Sequence, residues 1–364
     1  MITPEDIERL IRPELKAMPA YIPIEPTVVL SQRVEIPENK VIKLDGNENP
    51  YGCSPRVKQA LADYAYYHLY PDPEQRELRK ALEKYTGISP KYILAGSGSD
   101  ELIDLVLRLF IKPGDKVINC PPTFGMYPFS TDVCGGKVVS IPRKPDFSID
   151  AAAIKKAIDK RAKVIFIASP NNPSGNVTPE PAILELLDYT AAVVVDEAYF
   201  EFSGMTVAPL VPKYANLIVL RTFSKWAGLA GLRVGYGIFP TNIAEHIMKI
   251  KQPYNVNAAA QVAALESLKD MDYLRSTIKA IVNERERLMT RLNQLDWLQV
   301  YPSQANFILC RVRNGKAKAV HQGLQKKGIF IRYFDTPQLK DCLRISVGKP
   351  EHTDALIAAL AEMR

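Results

Sequence analysis

The chain has 364 residues, 47% of them hydrophobic and 24% charged, with a formal net charge of +7. That is enough chain for a large core and two domains, in the composition range of ordinary soluble globular proteins. No apolar run is long enough to cross a membrane, and Met1-Ile2-Thr3-Pro4-Glu5-Asp6 lacks the basic and apolar regions of a signal peptide. Lys and Arg are dispersed, which argues against nucleic acid and for small anionic ligands. The five cysteines (Cys53, Cys120, Cys134, Cys310, Cys342) form no C-x-x-C, which fits a reduced, cytoplasmic setting. The four histidines, at 68, 246, 321 and 352, do not cluster, so no metal site is expected.

In chain order, residues 3–17 carry an amphipathic helical pattern with Ile7, Leu10, Ile11 and Leu15 on one face. The stretch with Pro19, Pro23 and Pro26 reads as an extended arm, of the kind that lies over a partner subunit. Residues 41–44 predict a strand entering the turn-rich loop Asp45-Gly46-Asn47-Glu48-Asn49-Pro50-Tyr51-Gly52, and Ser54-Pro55 predicts the N-cap and first residue of a helix. After the break His68-Leu69-Tyr70-Pro71-Asp72-Pro73, a helix is predicted over 74–86.

A strand over 91–95 leads into Gly96-Ser97-Gly98-Ser99-Asp100-Glu101 and a helix through Phe110. Such a turn aims N–H groups and a helix dipole at an anion, although a plain tight turn would look the same. Glu101 stands where a dinucleotide fingerprint needs glycine, and no G-K-[ST] follows, so the loop is neither a Rossmann turn nor a P-loop. Apolar strands then recur near 116–120, 137–141, 163–168, 192–195, 217–220 and 234–238, with helical stretches between several of them. This pattern predicts an α/β fold with a mostly parallel sheet covered on both faces, whose ligands sit beyond the carboxyl ends of the strands. A helical region over 257–294 precedes strands near 297–301, 306–310, 329–332 and 342–346, with helices near 316–327 and 351–363. This last part reads as a smaller α+β domain. The expected division is an N-terminal helix and arm (1–40), a large domain (41–265) and a small domain (266–364).

The chemistry gathers at predicted strand ends. In Arg221-Thr222-Phe223-Ser224-Lys225-Trp226-Ala227-Gly228-Leu229-Ala230-Gly231-Leu232-Arg233, Lys225 lies among small, aromatic and apolar residues. Desolvation disfavours its ammonium form and frees the amine to attack a carbonyl. Arg233 offers a guanidinium fork for a phosphate. A Schiff-base lysine beside an anion clamp is what pyridoxal 5'-phosphate (PLP) requires. Thr222 and Lys225 also share the S-x-x-K spacing, but no K-T-G or S-D-N element accompanies them. Asp196, in Asp196-Glu197-Ala198-Tyr199, can keep a pyridine nitrogen protonated. Tyr199 and Asn172 can donate to the cofactor's phenolate oxygen, and Phe124 can stack on its ring. Ser99, Asp100, Thr222 and Arg233 can bind its phosphate. Taken singly, Asp196 reads equally well as a cap, Asn171-Asn172-Pro173 as a turn and Phe124 as core.

Taken together, the motifs give the chain a family resemblance. LDGNENPYG (44–52), YPDP (70–73), GSGSDE (96–101), PPTFGMYPFS (121–130), SPNNPSGN (169–176), DEAYFEF (196–202), RTFSKWAGLAGLRVGYG (221–237), KQPYNVN (251–257), QANFILC (304–310) and CLRISVG (342–348) span nearly all of it. With them the chain resembles the class-II, fold-type I PLP-dependent aminotransferases, and within these the histidinol-phosphate aminotransferase branch. The one small departure is Ser174, where that family often has Thr.

The resemblance implies Lys225 as Schiff-base lysine and proton shuttle, with Asp196 and Tyr199 as its catalytic partners. It implies a homodimer in which Tyr70 reaches the phosphate of the neighbouring subunit's cofactor. Arg344 would grip the substrate's α-carboxylate or its equivalent, with Tyr21, Asn47, Asn306 and Arg332 near the rest of the substrate. The implied reaction is ping-pong amino transfer between L-histidinol phosphate and 2-oxoglutarate, in histidine biosynthesis. Alternatives are an aromatic or broad-specificity aminotransferase of the same subfamily and a phosphothreonine decarboxylase. A non-catalytic domain of a transcription regulator is disfavoured by the intact lysine and by the short stretch ahead of residue 41.

Overall fold

Seven strands pair into one sheet and five into another in the computed structural model, which describes residues 2–363. In chain order they are β1 (Ile42–Leu44), β2 (Ile93–Gly96), β3 (Lys116–Asn119), β4 (Lys137–Ser140), β5 (Ala162–Ala168), β6 (Ala192–Asp196), β7 (Leu217–Thr222), β8 (Gly235–Ile238), β9 (Leu298–Val300), β10 (Phe307–Val312), β11 (Ile329–Tyr333) and β12 (Cys342–Ser346).

The larger sheet runs β2-β8-β7-β6-β5-β3-β4. β8 is antiparallel to both its neighbours, and the other pairings are parallel. Its apolar runs are continuous because both faces are covered. Ile165, Ile167, Val193, Val195 and Val219 pack into one core, while Val164, Phe166, Val194, Ile218 and Leu220 pack into another on the opposite face. The parallel register brings Asp196 level with Ala168 on one side and Leu220 on the other, so β5 and β6 end together and β7 runs two residues further.

The smaller sheet runs β1-β11-β12-β10-β9, and β1 pairs parallel with β11. Thus the strand expected to open the large domain is an edge of the small sheet, with Leu44 in that sheet's own core. The long helical region breaks at Asp270 into helices Ala258–Lys269 and Met271–Asn293. The second helix spans both cores, burying Leu274 and Ile281 against the large sheet and Leu288 and Leu292 against the small one.

The N-terminal region differs from expectation. The single helix over 3–17 is replaced by two exposed short ones, Pro4–Glu8 and Pro13–Lys16, because Pro13 has no N–H to continue a helix and can only start one. The arm is not extended throughout: the proline-free stretch after Pro26 forms the helix Thr27–Val34, closed by Glu35 in the left-handed region at φ 56°. Among the described residues, no helix is long and apolar enough to cross a membrane.

Candidate active site

A cavity of about 690 Å³ opens where β5, β6 and β7 end and the small sheet comes over them. Asp196 closes β6 opposite Leu220, and Thr222 closes β7 two residues further on, so the adjacent strands bring both residues to the cavity floor. Lys225 follows three residues after Thr222, through a turn in which Ser224 N–H donates to Thr222 Oγ1 at 3.1 Å. Gly228 lets this segment approach the loop after β1. It has φ +69°, and a Cβ there would lie 2.4 Å from the carbonyl of Gly52.

Lys225 Nζ donates to Gly46 O at 3.2 Å. Burial, reinforced by the positive charge of Arg344, brings its ammonium down to about 8. Asp196 is 5% exposed and is pushed up to about 6 by burial, against the pull of two hydrogen bonds. Tyr127 Oη donates to its Oδ2 at 2.6 Å, and Ala198 N–H donates to its Oδ1 at 3.1 Å. Tyr199 Oη accepts from Asn47 Nδ2 at 2.9 Å, which leaves the tyrosine's own proton free to donate into the cavity. Asn47 is held in turn by Ser346, whose hydroxyl accepts from Asn47 N–H at 2.9 Å and donates to Asn47 Oδ1 at 2.8 Å.

A candidate anion cradle lies opposite. Helix Gly98–Phe110 points its N-terminus into the cavity, where Ser99 and Asp100 line the wall. Arg233 Nη2 lies 2.7 Å from Asp100 Oδ2. Its guanidinium fits over Gly98 only because a side chain is missing there: a Cβ would sit 2.5 Å from Nη2.

On the small-sheet side, Arg344 is 6% exposed. Its Nη1 donates to Asn172 Oδ1 at 2.7 Å and its Nη2 to Asp45 O. Its buried Nε has no hydrogen-bond partner. Burial brings this guanidinium down to about 10. Arg332, Tyr21 and Phe124 complete the wall.

This fold is shared with known proteins. Residues 39–362 match the family model "Aminotransferase class I and II". The chain belongs to that aminotransferase family. Among the relatives of this aminotransferase, the histidinol-phosphate aminotransferase of Dehalococcoides mccartyi (strain CBDB1) is 51% identical, over 98% of this chain and 99% of that protein. The chloroplastic histidinol-phosphate aminotransferase of Nicotiana tabacum is 49% identical, over 97% of this chain and 86% of that protein. The crystal structure of histidinol-phosphate aminotransferase from Sinorhizobium meliloti, in complex with pyridoxal-5'-phosphate, matches with a TM-score of 0.87 at 28% identity, covering 96% of each chain. The fold is the fold-type I α/β architecture, shared even with an aspartate aminotransferase from Thermus thermophilus at 20% identity and a TM-score of 0.81.

Most of the residues singled out from the aminotransferase's sequence meet at the cavity: Ser99, Asp100, Phe124, Asn172, Asp196, Tyr199, Thr222, Lys225, Arg233, Arg344, Arg332, Tyr21 and Asn47 all line it. Two do not. Asn306 was expected on the substrate side but is fully buried behind the wall, where its Nδ2 donates to Asn47 O at 2.9 Å. Tyr70 is 82% exposed and lies away from its own cavity, stacked on Tyr254 with ring centroids 4.4 Å apart.

Two contributors were not singled out from the sequence. Tyr127 is fixed by parallel stacking on Phe166 at 4.6 Å, and Phe124 packs edge-on against it at 5.6 Å. Its position three residues after Phe124, at the start of helix Met126–Val133, was the available signal. Ser224 accepts a hydrogen bond from Thr222 at 2.9 Å and also lines the cavity. Behind both strand ends, the buried pair Arg221–Glu197, at 2.9 Å, ties β7 to the residue after β6.

Proposed function

We propose that this aminotransferase transfers the amino group of L-histidinol phosphate to 2-oxoglutarate, giving imidazole acetol phosphate and L-glutamate in histidine biosynthesis, with PLP as cofactor. The observation that carries the substrate assignment is identity of about one half, over nearly the whole chain, to enzymes named for that reaction. The donor set fits the cofactor. The cavity holds an amine of depressed basicity, a buried carboxylate and an anion cradle whose guanidinium needs a glycine beneath it.

PLP, when bound, supplies an electron-accepting ring that stabilises the negative charge developing at the substrate's Cα. Asp196 would keep the pyridine nitrogen protonated, while Tyr199 and Asn172 would donate to the phenolate oxygen and Phe124 would cover the ring. The N-terminus of helix Gly98–Phe110, with Ser99, Asp100, Thr222 and Arg233, would take the phosphate. Lys225 Nζ would anchor the cofactor and, once displaced by substrate, carry the proton to and from Cα. Arg344 would orient the anionic group of either substrate, with Arg332, Tyr21 and Asn47 around the remainder, and Asn306 would act by holding Asn47. Both half-reactions use one cavity, which requires ping-pong kinetics.

The same reading includes a cytoplasmic homodimer. Its supports are the five free cysteines and the exposed Tyr70, which would reach the cofactor phosphate of a second copy. The test is a single turnover of the holoenzyme, followed by absorbance, with L-histidinol phosphate, phenylalanine or O-phosphothreonine as sole amino donor. Fast spectral conversion by histidinol phosphate and slow conversion by the others is the expected result. Faster conversion by phenylalanine, or carbon dioxide release from phosphothreonine, would reassign the enzyme.

A further inference from the structure

Lys251 is unusual among the chain's lysines. It is only 8% exposed, yet among the described residues no carboxylate pairs with it. Its ammonium is surrounded by neutral oxygens: Pro73 O at 2.8 Å, Pro253 O at 3.0 Å, Gln252 O at 3.2 Å and Asn255 Oδ1 at 3.2 Å. Burial lowers its pKa, and the nearby carboxylates of Glu101 and Asp72 offset only part of that cost.

What the cage holds is the loop that presents Tyr70. Pro71 and Pro73 contribute no N–H; Asp72 between them accepts from Glu74 N–H and Arg76 N–H, and Pro73 O is fixed from outside by Lys251. One residue before Asn255, the same segment places Tyr254 under Tyr70, stacked at 4.4 Å and 17° between planes. From Asn255 the contacts run on into the subunit's own anion cradle. Asn255 Oδ1 accepts from Gln75 Nε2 at 2.9 Å, and Asn255 Nδ2 donates to Glu101 Oε2 at 2.9 Å. The same carboxylate oxygen accepts from Ser97 N–H at 2.5 Å, one residue ahead of helix Gly98–Phe110.

We infer that segment 251–255, keyed by Lys251, is a positioning device that holds Tyr70 in its partner-facing shape and joins it to the anion cradle of its own subunit. Lys251 touches no substrate; it acts through Tyr70 on the neighbouring site and through Asn255 and Glu101 on its own. This rests on the homodimer reading above.

Hybrid dimers test it, with the release rate of PLP as the readout. One subunit carries Lys225→Ala, so the anchored cofactor lies only in the other site. Adding Lys251→Met to the Lys225→Ala subunit is expected to speed release from the unaltered site on the order of tenfold, the scale of one charged hydrogen bond. Tyr70→Phe in the same place should do likewise, and the two changes together should be no worse than either. If Tyr70→Phe speeds release in trans and Lys251→Met does not, the inference is overturned while the dimer reading stands. If Tyr70→Phe has no trans effect, or the chain sediments as a monomer, both fall. Tyr254→Ala removes the stack at a half-exposed position and should give the same trans effect if Lys251→Met fails to fold.

Discussion

At the scale of single residues, the site works by withholding water from charges. Lys225 and Asp196 are shifted in opposite directions by the same cause: burial penalises the ammonium of one and the carboxylate of the other. The sign for Lys225 follows from linkage. Its folded value of about 8 lies below its ordinary 10.5, so between these values the unfolded chain binds more protons and the apoprotein gains stability as pH rises. Below about 8 the buried ammonium carries its full cost. The Lys225→Met apoprotein should therefore be more stable than its parent at pH 7, by about 3 kcal/mol. The gap should close between pH 8 and 10.5, as read by denaturant melts of both proteins. A gap that does not vary with pH would mean that the amine is not desolvated.

These two residues were legible in the sequence because each combines a reactive group with a strand end. Asn306 was misplaced because its role is fixed by a partner 259 positions away, the carbonyl of Asn47. Nothing in its local sequence reveals whether it faces the cavity or the wall behind it.

At the scale of elements, the strands of the large sheet were the most readable feature, since burial on both faces writes an unbroken apolar run. β1 was equally visible, but its run does not encode which sheet it joins. That depends on pairing with β11 nearly 290 residues on, as in Ile42 opposite Ile329. The glycine turn before helix Gly98–Phe110 reads equally well as a cradle or a plain turn, and the space over Gly98, filled by Arg233, supports the cradle. Gly98→Ala would impose a side chain at φ +77° and push into Arg233 Nη2. The guanidinium is the far end of a flexible side chain, so the fold should survive with a strain of about 1–2 kcal/mol while the clamp is displaced. PLP affinity should fall about tenfold or more, measured by titrating the apoprotein, with only a modest drop in melting temperature. Unchanged affinity would remove Arg233 from the anion site.

At the scale of the whole molecule, the cavity belongs to no single domain. The large sheet supplies its floor and the small sheet its far wall, and helix Met271–Asn293 fixes the two by lying in both cores. The remaining wall is the N-terminal arm. Arg12 Nη2 donates to Val133 O at 3.1 Å on the large-sheet side, and Arg332 Nη2 of β11 donates to Ile22 O at 3.4 Å on the other. Around the second tie, Tyr21, Pro23 and Ile24 face the cavity. The arm therefore straps across the mouth without contributing a group to the anion cradle or to the Lys225–Asp196 pair. Removing residues 2–24 should separate the two functions. KM for histidinol phosphate should rise about tenfold or more and turnover should fall as water enters, while PLP affinity changes little. Loss of PLP affinity with an unchanged KM would instead make the arm a support for the cofactor half of the site, and the substrate wall would have to be sought entirely on the two sheets.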